Sequence, residues 1–227
     1  MSKIVPCLAA MMLLSGCNGV PTSYVSDPVY DQAFVVTSRG PLPMLLMASA
    51  IQWNEDYAVT AKHTPFLPNI VHEGLGDVVF FKHKATQVPL WRQYVPGEAV
   101  TAVGFNSLMM PMQGKGHALP SLVRLQGTKG SVFYGVHDGP ITKGMSGGPV
   151  FADDGKVLGI NIAYLSRDEV QAHDRADLAS SEHISVFMSY SEIDKEWRRY
   201  QHLLAKKGRP QLPVTPVRGM VVAATAR

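Results

Sequence analysis

Cysteine is scarce in this chain: among 227 residues only Cys7 and Cys17 carry a thiol. A network of disulfides is therefore excluded as a brace for the fold. Charge is sparse as well, with 17% charged residues and a net charge of +3. The one dense basic group, Arg198, Arg199, Lys206, Lys207 and Arg209, falls on a short helical stretch and reads as a solvated face, so no nucleic-acid partner is expected. No apolar run approaches the roughly 20 residues that a helix needs to cross a bilayer. The chain contains no GxGxxG, no P-loop, no HExxH and no internal repeat. His63, His72, Asp77 and His83 could supply metal ligands, but their spacings of nine, five and six match no compact zinc motif. No cofactor and no metal are expected.

Turn formers, by contrast, are plentiful: 20 glycines and 16 prolines break the chain into short apolar runs. Strand patterns fall at residues 33–37, 45–53, 57–61, 78–82, 90–94, 99–105, 121–125, 131–137, 150–152, 157–164 and 184–188. Asp153, Asp154, Gly155 and Lys156 form a hairpin turn between two of them. One segment changes period. Ile193, Trp197, Tyr200 and Leu204 are spaced by four, three and four, which predicts a helix over 192–205. Ser189 and Glu192 stand at capping-box spacing, and Gly208 with Pro210 supplies the stop. Many short strands with one terminal helix predict an all-β architecture and exclude a doubly wound sheet.

The N-terminal residues read separately. Lys3 is followed by an apolar run at 4–14 and by the small residues Ser15 and Gly16, the layout of a secretory signal peptide over 1–16. Leu14-Ser15-Gly16-Cys17 resembles the lipobox of bacterial lipoproteins. That resemblance implies cleavage before Cys17 and acylation of its thiol, which anchors the chain to a membrane by lipid. Asn18 after the cysteine implies the outer membrane of a Gram-negative envelope, facing the periplasm. Residues 17–31 read as a tether, and residues 208–227 as a tail.

The chemistry concentrates at Gly144-Met145-Ser146-Gly147-Gly148-Pro149. A hydroxyl becomes an acyl-transfer nucleophile when its oxygen is exposed, a base takes its proton, and nearby N–H groups face the developing oxyanion. Glycines permit the backbone dihedrals that such a turn needs. An ordinary glycine-rich turn competes with this reading on physical grounds alone.

The segment resembles the nucleophile motif of the chymotrypsin-like (trypsin-fold) serine proteases, with Ser146 in the nucleophile position. Thr60-Ala61-Lys62-His63 resembles their histidine context, and Asp77-Val78-Val79-Phe80 their aspartate strand. The order His63, Asp77, Ser146 is that of the family. The resemblance spans about residues 33–205. It implies a protease domain over 32–207, built as two six-stranded β-barrels at about 32–110 and 111–190, with the helix behind them. Pro111 to Pro120 would then connect the barrels.

The implied roles are His63 as general base, Asp77 as its orienting partner, and the Gly144 and Ser146 N–H groups as oxyanion hole. Asp56 is the alternative third member. Pro140, Lys143, Asn161, Ile162, Ala163 and Tyr164 are implied as the substrate pocket. Pro140 stands six before Ser146, where basic-specific relatives carry aspartate, so a preference for Lys or Arg has no support. The expected activity is that of a serine endopeptidase acting on protein or peptide substrates. An inactive binding protein of the same fold and an esterase-like hydrolase are the alternatives.

Overall fold

The computed structural model describes residues 20–24, 26–38, 47–125, 132–165 and 176–208. The expected signal peptide, Cys17 and the tail beyond Gly208 lie outside these residues. The chain runs β1 (Thr22–Ser23), β2 (Ala33–Thr37), β3 (Met47–Asn54), β4 (Tyr57–Thr60), β5 (Ile70–Glu73), β6 (Val79–Lys82), β7 (Ala99–Phe105) and β8 (Pro111–Val123). It continues with β9 (Tyr134–His137), β10 (Pro149–Ala152), β11 (Val157–Leu165), α1 (Ala176–Ser180), β12 (Ile184–Ser189) and α2 (Tyr190–Lys206). The fold is all-β, a chymotrypsin-like pair of β-sheet units followed by a C-terminal helix.

Two sheets carry it. The first has the order β2-β3-β4-β6-β5, and the second β1-β8-β7-β10-β11-β12-β9, with β9 also pairing β8. That last pairing closes six strands into a barrel, from β8 round to β9. Among the described residues the first sheet holds five strands, one fewer than expected, and its ends do not pair.

Three expectations shift. β7 belongs to the second barrel, where it lies between β8 and β10, so the boundary falls before residue 99 and not near 110. Pro111 to Pro120 is strand, not connection. Its glycines look like linker composition, but they serve close approach: a Cβ on Gly114 would overlap the Pro140 carbonyl, and one on Gly116 would overlap Asp138 and Gly139. Pro111 opens the strand and Pro120 lies at a register shift between Leu119 and Leu122, places where a missing N–H breaks no ladder bond. Finally, the expected tether is partly bound to the domain. Thr22 and Ser23 pair with Gln113 and Met112, and Tyr24 and Tyr30 pack on the core.

Residues 90–94 form no strand; Trp91 makes only an isolated bridge to Val157. Short β5 and α1 escaped the pattern reading because neither carries a period. The helix is two residues longer at its start than predicted. Ser189 is its N-cap but makes no capping bond, because its hydroxyl pairs with that of Ser191 at 3.1 Å.

The main core sits between the two sheets and α2. Trp53, Trp91 and Trp197 are all fully buried, with ring centroids 5.0 Å apart for Trp53–Trp91 and 6.3 Å for Trp53–Trp197. Such aromatic pairs add about 0.5–1.5 kcal/mol each beyond the area they bury. On α2, Glu196 meets His72 of β5 at 3.3 Å, both side chains being nearly buried. Burial alone would raise the Glu196 pKa, but bonds from His72 and the Leu75 N–H outweigh it and hold the carboxyl below its usual range. The helix thereby grips the segment that leads into Asp77.

Candidate active site

His63 follows β4, whose residues are buried on both faces between β3 and β6. Asp77 lies just before β6, and the β4–β6 pairing of Thr60 with Val79 brings their ends together. The result is a double contact. Asp77 Oδ2 accepts from His63 Nδ1 at 2.6 Å, and Oδ1 accepts the His63 backbone N–H at 3.0 Å. The bond to Asp77 is the main cause of a raised His63 pKa, opposed by desolvation. With Nδ1 directed at the carboxylate, the neutral ring carries its proton there and leaves Nε2 free to accept another. The Asp77 N–H in turn donates to the Tyr134 hydroxyl at 3.0 Å.

Asp56 stands in the β3–β4 turn, where its N–H donates to Asn54 Oδ1 and its carbonyl accepts the His83 N–H. The carboxylate beside His63 is that of Asp77. His72 and His83 turn to Glu196 and Gln52, away from His63.

The Ser146 turn is held peptide by peptide. Met145 N–H donates to the Thr142 carbonyl at 3.1 Å, with Gly144 at φ +96°, the third-position geometry of a type II turn. Gly148 N–H donates to the Met145 carbonyl at 3.0 Å and Gly147 N–H to the Asn161 carbonyl at 2.7 Å. The N–H groups of Gly144 and Ser146 have no acceptor among the described residues. These are the two donors expected to face an oxyanion. No side chain fits at Gly144, since a Cβ would stand 2.5 Å from the Phe105 carbonyl oxygen.

The Ser146 hydroxyl donates to the Ile162 carbonyl at 3.3 Å, and no hydrogen bond joins it to His63 in this conformation.

The expected pocket residues divide by burial. Lys143 and Tyr164 are exposed, Ala163 half-buried, and Pro140, Asn161 and Ile162 buried. Asn161 is not open wall: its Nδ2 donates to the Gly148 and Pro149 carbonyls, and its Oδ1 meets His137 Nε2 at 3.1 Å. That orientation assigns the proton of the fully buried His137 to Nε2. Burial drives the His137 pKa down to about 4. A cleft of about 420 Å³ lined by Asn69, Ile70, Tyr200 and Lys207 lies on the helix side of the first sheet and touches none of these groups.

Ser49 and Tyr134 were not legible as site residues. The small run Ala48-Ser49-Ala50 within an apolar strand was the only signal of close backbone approach at the first.

The fold is the trypsin fold of the chymotrypsin-like serine proteases. Residues 54–160, which include His63, Asp77 and Ser146, match the family model of the trypsin-like peptidase domain. Solved structures share the fold. The HtrA-type protease AlgW, solved with a tripeptide, is 16% identical with a TM-score of 0.60, over 80% of this chain and 64% of that one. A serine endoprotease from Yersinia pestis is 18% identical with a TM-score of 0.59, over 82% and 70%. The MamO protease domain from Magnetospirillum magneticum is 18% identical with a TM-score of 0.55, over 74% and 96%. The chain thus spans under two thirds of the length of AlgW. No curated protein matches it in sequence.

Proposed function

We propose that this protein is a serine endopeptidase with Ser146 as nucleophile, His63 as general base and acid, and Asp77 as the partner that orients His63. The observation that carries the reading is the combination of the Asp77–His63 bond with the N–H groups of Gly144 and Ser146, which have no acceptor among the described residues. In the first half-reaction Ser146 Oγ attacks the scissile carbonyl carbon while its proton passes to His63 Nε2. The carbonyl oxygen becomes an oxyanion between the N–H groups of Gly144 and Ser146. His63 then gives the proton to the departing amine, leaving an acyl group on Ser146. Water repeats the sequence and releases the acid. Asp77 stabilises the imidazolium formed in each half-reaction. No step calls for a metal or cofactor.

The substrate is a protein or peptide. With Pro140 at the position where basic-specific relatives carry aspartate, a preference for Lys or Arg has no support, and Lys143 and Tyr164, both exposed, would border the entrance. The location we propose is the bacterial cell envelope, with Cys17 lipidated and the domain held at the outer membrane facing the periplasm. Leu14-Ser15-Gly16-Cys17 supports this. Multiple acyl chains anchor firmly where one is marginal. Intact-mass spectrometry of the membrane fraction should find a chain that begins at an acylated Cys17; an unacylated chain with another start would overturn the location.

A fluorophosphonate probe tests the chemistry. The folded protein should be labelled, and Ser146→Ala should not be. Cleavage of a peptide library by the unlabelled wild type, and not by Ser146→Ala, establishes the peptidase. Labelling without cleavage favours an esterase-like hydrolase, and a folded protein that takes no label is a binding protein of this fold.

A further inference from the structure

Ser49 lies on β3, in the first sheet, and is fully buried. Each of its hydrogen-bonding groups is engaged across the gap between the two sheets or beside it. Its N–H donates to the Ser146 carbonyl at 2.9 Å. Its hydroxyl donates to the Gly144 carbonyl at 2.7 Å and accepts the Phe105 N–H at 2.8 Å. Its carbonyl accepts from Thr60 Oγ1 at 2.7 Å, on the strand that leads to His63.

The surroundings are shaped to this side chain. A Cβ on Gly104 would stand 2.7 Å from Ser49 Oγ, and one on Gly148 would stand 3.0 Å from Ser49 Cβ. At Gly147 a Cβ would overlap the Ser49 carbonyl oxygen and Thr60 Oγ1. Two glycines of the nucleophile motif are therefore occupied in admitting Ser49, and a larger residue has no room.

The contacts fall on the two peptides that follow the ones carrying the Gly144 and Ser146 N–H groups. The Gly144–Met145 peptide is held at its carbonyl by the Ser49 hydroxyl and at its N–H by Thr142. The Ser146–Gly147 peptide is held at its carbonyl by the Ser49 N–H and at its N–H by Asn161. The Gly144 and Ser146 N–H groups have no acceptor among the described residues. We infer that Ser49 is a positioning residue for the oxyanion hole: its hydroxyl locks the Gly144 carbonyl, and so the orientation of the Gly144 turn, from the opposite sheet. Without that hydroxyl the Gly144 carbonyl and Phe105 N–H both lose a buried partner, and the turn can relax by peptide rotation. The backbone bond from Ser49 to Ser146 survives substitution, so the nucleophile itself stays in place.

The inference rests on the serine-protease reading, and the test separates the two. Ser49→Ala, which removes only the hydroxyl, and Ser49→Gly, which also frees the backbone, are compared with wild type for fluorophosphonate labelling rate, kcat and KM. They are also compared for binding of a peptide boronic acid, which mimics the tetrahedral adduct, and of a reduced-amide peptide, which has no carbonyl oxygen at the scissile position. Labelling rate and kcat should fall about 10- to 100-fold, less than the loss of a direct oxyanion donor. KM and reduced-amide affinity should stay within about twofold, and boronate affinity should fall with kcat. Variants that label at the wild-type rate, or that lose both ligands equally, overturn the inference. A wild type that takes no label removes the protease reading alone. The positioning claim then stands or falls on amide hydrogen exchange, where protection at Met145 and Phe105 must drop in Ser49→Ala.

Discussion

The Tyr134 hydroxyl accepts the backbone N–H of Asp77 at 3.0 Å, so a strand of the closed barrel holds the residue that orients His63 on the other sheet. Tyr134 is fully buried, and Gly76 leaves it space: a Cβ there would stand 3.2 Å from the hydroxyl oxygen. Tyr134→Phe keeps the ring and removes the acceptor. Stability should fall by about 1–3 kcal/mol, the cost of a buried donor left without its partner. In kinetics, kcat should fall while KM holds, because the loosened group acts on His63 and not on the substrate. Denaturant melts and steady-state rates on a peptide substrate check both.

Asp77→Asn should lower turnover about 10⁴-fold, by analogy with the trypsin example of the same substitution, because an amide no longer enforces the tautomer that leaves Nε2 free. Asp56→Asn should change turnover little, since its N–H and carbonyl make the contacts of that turn and its side chain does not meet His63. An inactive Asp56→Asn with an active Asp77→Asn would reverse the assignment.

The pH profile carries its own test. Only neutral His63 can take a proton, and its bond to Asp77 raises its pKa above the ordinary 6.5. Turnover should therefore rise with pH through a midpoint above 6.5. In Asp77→Asn the residual activity should rise through a lower midpoint. An acid limb at the same pH in both proteins would detach His63 from Asp77.

His137 makes the fold sensitive to acid. Its folded pKa is near 4 because burial disfavours the charged ring, against 6.5 when unfolded. Between these values the unfolded chain binds more protons, so stability is full above pH 6.5 and falls as pH drops towards 4. The loss should reach about 3 kcal/mol from this group, on 1.36 kcal/mol per pKa unit. Chemical denaturation at pH 7.5 and 4.5 should show the decline, and His137→Gln should flatten it.

Gly144→Ala would place a side chain at φ +96°, 2.5 Å from the Phe105 carbonyl oxygen. The turn must shift, and the Gly144 N–H with it. Turnover should drop about 10²- to 10³-fold, the effect of losing one oxyanion donor, while the domain stays folded. Wild-type turnover in this variant would show that the Gly144 N–H faces no reacting oxygen.

Local pattern was enough for much of this molecule. The period of four, three and four in Ile193, Trp197, Tyr200 and Leu204 specified a helix, because one stripe of a 3.6-residue repeat must be buried. Short apolar runs broken by glycine and proline specified strands. The glycine-rich turn around Ser146, with Thr60-Ala61-Lys62-His63 and Asp77-Val78-Val79-Phe80, pointed to a serine site through its resemblance to the chymotrypsin-like proteases. These are properties of neighbouring residues, so the order of residues carries them.

What lay beyond reach depended on residues far apart in the chain. Gly114 and Gly116 resemble a linker until Pro140 and Asp138 are seen against them. β7 is as apolar as a strand of either sheet, and only its ladders to β8 and β10 place it in the closed barrel. Asn161 sits where a pocket wall was expected, yet its amide is directed inward to His137 and two carbonyls. Ser49 is one small polar residue in a buried strand, and its four partners come from three other parts of the chain. Hydrogen-bond partners of this kind are chosen by the packing of two sheets, and a one-dimensional pattern holds no record of which strand will face which.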